Sequence, residues 1–212
     1  MDSKVEAVKK EYQERADREV GIGARLQARN SRENIDDLLL PIGPATGTLI
    51  GTLIQEMKAR AILEVGTSYG YSTVWLAEAA RKAGGKVITL DLAANKQAYA
   101  REMLGKAGLA EVVDFRNGDA LQLIPWVDEP LDFVLLDCWK DIYVRCLELF
   151  HPRLAPGATV VADNMIFPAN AHDDAMAYRR AVRATSDMAS VLLSVGSGLE
   201  VSRKRGPLDD GL

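Results

Sequence analysis

The chain has 212 residues, with 26 Lys and Arg against 30 Asp and Glu for a formal net charge of −4, and 48% of it is apolar. That balance describes a globular protein with one substantial core and argues against a phosphate-backbone binder, whose affinity comes from clustered Lys and Arg. The charged first 19 residues do not resemble a secretory signal, and Leu38 to Ile54 is interrupted by Pro41, Gly43, Pro44, Gly47 and Gly51, short of the roughly 20 apolar residues of a membrane helix. With only Cys138 and Cys146 present, two reduced thiols in a cytoplasmic protein are the expectation.

In chain order, Val5, Val8, Tyr12, Ala16 and Val20 fall at helical spacing among charges and predict an amphipathic helix over residues 3–20. Its narrow apolar stripe suits a helix lying on the domain, pairing with a second subunit, or bordering a ligand mouth. From residue 61 the pattern becomes regular. β-type runs at 61–65, 86–90, 112–116, 131–136 and 158–162 alternate with helical segments at 71–83, 93–107, 120–127 and 141–154. Such alternation implies right-handed βαβ crossovers and a mostly parallel sheet covered on both faces. A helix at 173–187 and two runs at 190–195 and 199–203, split by Gly196-Ser197-Gly198, predict an antiparallel hairpin at the sheet edge. The expected organisation is one domain over 1–212, with an N-terminal helical segment at 1–37 and a core at 38–205.

The acids fall at strand ends. Asp91 follows the second run, Asp119 lies just beyond the third, Asp137 ends the fourth, Asp163 ends the fifth, and Glu64 lies within the end of the first. In an open parallel sheet these carboxyl ends share one edge, where ligands bind. A single acid there is often only a helix N-cap; four in succession suit hydroxyls, a cation or a sulfonium. The loop Glu64-Val65-Gly66-Thr67-Ser68-Tyr69-Gly70-Tyr71-Ser72 brings a backbone onto a helix N-terminus. It lacks the middle glycine of a pyrophosphate-binding G-x-G-x-x-G, which disfavours a nicotinamide enzyme. Asp91, about 20 residues further on, can accept from both hydroxyls of a ribose.

ILEVGTSYGYSTVWLA, VITLD and NGDA together resemble the class I S-adenosylmethionine-dependent methyltransferases. DCWKDIY at 137–143 and VVADNM at 160–165 resemble the metal-dependent catechol and caffeoyl-CoA O-methyltransferase type, over about residues 38–205. The resemblance implies a doubly wound, mostly parallel seven-stranded α/β sheet with an antiparallel C-terminal hairpin strand, a Rossmann-like methyltransferase fold. It implies that Gly66 and Ser72 hold the methionine part of S-adenosylmethionine, with Glu64 supporting their loop. Asp91 would hold the ribose, and Gly118, Asp119, Ala120 and Trp139 the adenine side. Asp137, Asp163 and Asn164 would ligate a divalent cation, with Asp137 serving the cofactor side as well and, beside Lys140, the catalytic step. Lys140 would be the general base.

Two carboxylates and an amide oxygen suit Mg²⁺, or Mn²⁺ or Ca²⁺, rather than zinc or copper. The implied reaction is methyl transfer to a small vicinal dihydroxy aromatic. Two alternatives are a tRNA wobble-uridine hydroxyl as acceptor, disfavoured by the acidic charge, and a cofactor-binding scaffold without catalysis. The type also implies a homodimer. The sequence departs from it at Cys138, where relatives often carry His, and at 166–175, which offers no clear aromatic clamp beyond Phe167. His172 is a possible acceptor contact and His151 a structural residue.

Overall fold

The structure, a computed structural model, describes residues 2–28, 37–128 and 130–206. Its frame is a seven-stranded sheet: β1 (Ala61–Val65), β2 (Lys86–Asp91), β3 (Val113–Asn117), β4 (Leu131–Leu136), β5 (Leu154–Ala162), β6 (Met188–Leu193) and β7 (Leu199–Lys204). The spatial order is β3-β2-β1-β4-β5-β7-β6. The first five strands are parallel, and β7 is antiparallel to both β5 and β6. The predicted hairpin therefore exists, with its second strand inserted against β5 and its first left at the edge. Strands β1 and β4 read as nearly unbroken apolar runs because both of their faces are covered.

The helices are α1 (Ser3–Ala28), α2 (Gly43–Met57), α3 (Tyr71–Ala83), α4 (Ala94–Lys106), the single turn α5 (Ala120–Leu123), α6 (Tyr143–Phe150) and α7 (His172–Ala184). The segments expected at 120–127 and 141–154 are shorter α-helices with 3₁₀ turns attached, at Ile124–Trp126, Lys140–Ile142 and His151–Arg153. Pro125 and Pro152 sit in two of those turns, where an α-helix loses a donor. Helix α2 has no counterpart in the sequence reading, because its prolines and glycines look like interruptions. Pro44 lies in its first turn, where the missing N–H costs nothing. Gly47 leaves room for another helix: a Cβ there would sit 2.5 Å from the Trp75 indole of α3.

One apolar core lies between the sheet and α1 to α4; a second lies between the opposite face and α5 to α7. The α1 stripe is spent inside the chain: Val5, Val8, Tyr12 and Ala16 are buried in the first core, while the side chain of Val20 lies outside the described residues. Among the described residues no helix is long and apolar enough to cross a membrane.

Strand register sets the site. Val65 pairs with Leu90 and Leu136, and Leu136 pairs with Ala162. The next residues, Gly66, Asp91, Asp137 and Asp163, therefore line up along one edge. Backbone bonds continue the alignment past the strands, from Asp137 N–H to the Val65 carbonyl (2.9 Å) and from Asp163 N–H to the Leu136 carbonyl (3.0 Å).

Candidate active site

Glu64 points into the floor of the loop after β1 and is fully buried. Three hydroxyls donate to it, Ser72 to Oε1 and Thr73 and Thr89 to Oε2, each at 2.6 Å. Since Thr89 donates to Glu64, Thr67 donates to Thr89 (2.6 Å), and the Gln97 amide donates to Thr67 (3.0 Å). Burial raises the Glu64 pKa to about 7 even against the three hydroxyl bonds that favour the carboxylate. The network ties β1, β2, α3 and α4 to one loop. The sequence reading assigned Glu64 this support; it missed Thr67, Thr73, Thr89 and Gln97, of which only Thr89 is signalled, as a polar residue within an apolar strand.

Gly66 has φ +108°, and a Cβ there would overlap the Asp137 carbonyl, so only glycine lets the β1 loop lie against the end of β4. A cleft opens beside it, lined by Leu39 to Ile42, Gly66 to Ser72 and Asp137. The Ser72 hydroxyl is turned to Glu64 and braces this wall. The first wall, 39–42, is carried by α1: Glu19 accepts from the Leu39 N–H (2.7 Å) and from Arg15 (2.7 Å), and Tyr12 donates to the Tyr69 carbonyl (2.5 Å). Of the roles open to α1, lying on the domain is the one its buried stripe shows, and from there its Glu19 braces the cleft wall at Leu39.

Asp91 accepts two backbone N–H bonds, from Ser68 (2.7 Å) and Ala93 (2.8 Å). Gly118 joins it by donating to the Asp91 carbonyl at 2.9 Å. Asp119 is the N-cap of α5, accepting from Leu121 N–H at 2.9 Å, and Ala120 is buried behind it. Trp139 stands partly exposed at the end of β4. His172 is exposed at the start of α7, and His151 pairs with Asp187 at 2.8 Å, a structural role as expected.

Asp137, Asp163, Asn164 and Lys140 come together past the ends of β4 and β5. Lys140 Nζ donates to Asn164 Oδ1 at 2.9 Å, and the Asn164 N–H donates to Asp163 at 2.7 Å. Asn164 has φ +55°, a conformation Asn tolerates better than most residues. Beneath them the buried Tyr143 hydroxyl lies between the Leu136 (2.9 Å) and Asp163 (3.3 Å) carbonyls. Burial raises the Asp137 pKa against the attraction of Lys140. Burial, then the Asp137 charge, raises Asp163 to about 7 against the Asn164 N–H and Lys140. Burial lowers the Lys140 pKa, opposed by the two aspartates.

Asp163, buried, and Asp137, half-buried, thus face a single ammonium whose charge is itself disfavoured. Among the described residues no three His, Cys, Asp or Glu side chains converge; the oxygens gathered here are those of two carboxylates and an amide. The set is hard and anionic, and it fits a divalent cation.

A family model described as a methyltransferase domain matches residues 63–165. A catechol O-methyltransferase from Niastella koreensis is 34% identical over 147 residues, 68% of this chain and 66% of that enzyme. The chain therefore spans about two thirds of that relative's length. An O-methyltransferase from Bacillus cereus, solved in complex with SAH, superimposes with a TM-score of 0.75 at 26% identity, over 97% of this chain and 92% of that one. The O-methyltransferase TomG from Streptomyces achromogenes, involved in tomaymycin synthesis and solved with SAM, gives 0.73 at 25% identity over 97% and 91%. The family match runs from β1 to the loop after β5, the same strand and loop units that carry the acids. The chain belongs to the class I S-adenosylmethionine-dependent O-methyltransferases of the catechol O-methyltransferase type.

Proposed function

We propose that this protein transfers the methyl group of S-adenosylmethionine to one hydroxyl of a small vicinal dihydroxy aromatic, with the help of a divalent cation. The observation that carries the reading is the under-neutralised pair of half-buried Asp137 and buried Asp163, joined by Asn164 and Lys140 beside the Gly66 loop. S-adenosylmethionine supplies an electrophilic methyl group in the cleft. Asp137, Asp163 and Asn164 would hold the cation, Mg²⁺ by preference, which would supply Lewis acidity toward the acceptor hydroxyl.

The chain's own residues do the rest. Asp91 holds the ribose, and Gly118, Asp119, Ala120 and Trp139 border the adenine. Gly66 and the Glu64-braced loop fix the methionine end, which holds the two reactants in contact; such positioning contributes on the order of 7–11 kcal/mol in oriented model systems. Lys140 Nζ, neutral when it acts, accepts the proton of the hydroxyl to be methylated. Its burial and flexible stem suit that role. A cytoplasmic homodimer completes the proposal, and its interface lies away from the α1 stripe, which the chain itself covers. The test is a turnover screen of catechol, caffeate and protocatechuate with labelled cofactor, with and without Mg²⁺ and chelator. Cation-dependent methylation of a vicinal diol supports the reading. Full turnover in excess chelator removes the cation from it, and methylation of unmodified tRNA alone replaces the acceptor.

A further inference from the structure

The parallel ladder between β4 and β5 ends at the pair Leu136 and Ala162, one residue short of the acids. Beyond that pair the Asp163 N–H still donates to the Leu136 carbonyl at 3.0 Å. Asp137 and Asp163 therefore stand past the end of the regular ladder, and the Asp137 charge acts on Asp163. Like charges at two neighbouring strand ends push those ends apart.

The Tyr143 side chain crosslinks the same two ends. Tyr143 opens α6 and is fully buried, with its hydroxyl 2.9 Å from the Leu136 carbonyl and 3.3 Å from the Asp163 carbonyl. Its single proton serves both carbonyls, Leu136 at the shorter range. The Leu136 carbonyl thus accepts from Tyr143 and from the Asp163 N–H, which engages both of its lone pairs. Lys140 Nζ lies 5.3 Å from the centre of the Tyr143 ring. Tyr178 of α7 packs edge-on against that ring, centroids 5.5 Å apart at 79°, and fixes where the hydroxyl is aimed. Tyr178 is equally buried, but its own hydroxyl has no hydrogen-bond partner among the described residues.

We propose that Tyr143 is a positioning residue for the cation: its hydroxyl fixes the spacing of the strand ends that carry Asp137 and Asp163, so that both carboxylates converge on one ion. The inference rests on the proposed function for the cation, while the fixing of the strand ends stands without it. Tyr143 acts through the backbone and gives no oxygen to the ion. Spacing matters because Mg²⁺ demands near-octahedral oxygens at about 2.0–2.1 Å.

Two matched variants test this. Tyr143→Phe removes only the hydroxyl and keeps the ring that fills the core against Tyr178. Tyr178→Phe removes the same atom from the neighbouring ring, where it bonds to nothing described. The readouts are Mn²⁺ affinity measured without turnover by electron paramagnetic resonance, amide hydrogen exchange at 163–164 in cation-free protein, S-adenosylmethionine affinity, and kcat at saturating Mg²⁺. Tyr143→Phe should weaken Mn²⁺ at least fivefold and speed exchange at 163–164. S-adenosylmethionine should titrate within twofold of wild type, and saturating Mg²⁺ should return kcat to within threefold. Tyr178→Phe should match wild type in all four. Unchanged Mn²⁺ affinity in folded Tyr143→Phe overturns the proposal, as does an equal loss in Tyr178→Phe, which reduces the effect to core packing. A kcat deficit that saturating Mg²⁺ leaves in place also overturns it, by putting the hydroxyl in the chemistry. Where wild-type protein binds no Mn²⁺, the proposed function loses its cation on its own, and exchange decides the strand-end role: faster exchange in Tyr143→Phe alone upholds it, and unchanged exchange overturns it.

Discussion

Two groups of acids stand on neighbouring strand ends and are treated in opposite ways. Glu64 is surrounded by donors: three hydroxyls reach it, Thr67 supports Thr89, and Gln97 supports Thr67. Asp137 and Asp163 share one lysine, which also donates to Asn164. A buried carboxylate with its hydrogen bonds made is a strut, whereas two neighbouring carboxylates, one buried and one half-buried, with one opposing charge are an incomplete electrostatic arrangement. The same residue type thus serves as scaffold at β1 and, in the proposed function, as a place for a cation past β4 and β5. Neighbours decide which.

Asp163→Ala attacks the incomplete pair and should have the largest effect. With one of three oxygen donors gone, methylation should drop to background, and added Mg²⁺ should no longer raise the melting temperature. Persistence of both in a folded variant would sink the assignment. Lys140→Met comes next. Cofactor titration should be unchanged while kcat falls by roughly 10²–10⁴, the usual cost of losing a general base. The deficit should shrink for acidic catechols that ionise unaided. A near wild-type rate at neutral pH with ordinary catechol would remove Lys140 from proton transfer.

The strut is probed by Glu64→Gln and by pH. The amide keeps an acceptor but brings a donor among hydroxyls already donating, so the variant should lose about 1–3 kcal/mol of stability. Glu64 and Asp163 are both raised to about 7 in the fold, well above their ordinary values of 4.5 and 3.8. An acid with a raised folded pKa stabilises the fold fully below its unfolded value, and that contribution is lost as pH rises through the folded one. Cation-free protein should therefore melt lower at pH 8 than at pH 5. Mg²⁺, which favours ionised Asp163, should recover more at pH 8. In Glu64→Gln the fall with pH should be shallower. A melting temperature that climbs from pH 5 to 8 without cation would contradict the buried-acid description.

Much of this contrast was legible in the sequence, and the illegible part has a physical cause. Alternating periods marked β1 to β5, and α3 was bounded at Tyr71 and Ala83 as observed, because both signals are local. The strand-end acids were visible for the same reason: a strand's end locates its next residue. The Glu64 donors were not, because Thr89 lies on a different strand and Thr73 in the first turn of α3, and register and packing bring them together. Helix α2 was hidden by glycines whose function is to fit against Trp75, a tertiary reason that overrides propensity. Asp119 shows that one strand-end acid can carry a local use as well: its Oδ1 caps α5 by accepting from the Leu121 N–H.

Asp91 lies between the two treatments and should give the smallest effect. Its Oδ2 accepts from Ser68 and its Oδ1 from Ala93, so each oxygen already carries one backbone bond and has one lone pair left. Both remaining acceptor positions suit the adjacent hydroxyls of a ribose, and charge-assisted bonds of that kind contribute about 1.5–3 kcal/mol each. In Asp91→Ala S-adenosylmethionine should bind at least tenfold more weakly, and part of that loss will come from the loop Asp91 braces. The two contributions separate with a cofactor product lacking both ribose hydroxyls. Wild-type protein should prefer the intact S-adenosylhomocysteine over the 2′,3′-dideoxy form, and Asp91→Ala should bind the two alike. A variant that still discriminates between them makes Asp91 a strut like Glu64 and assigns ribose recognition to other groups.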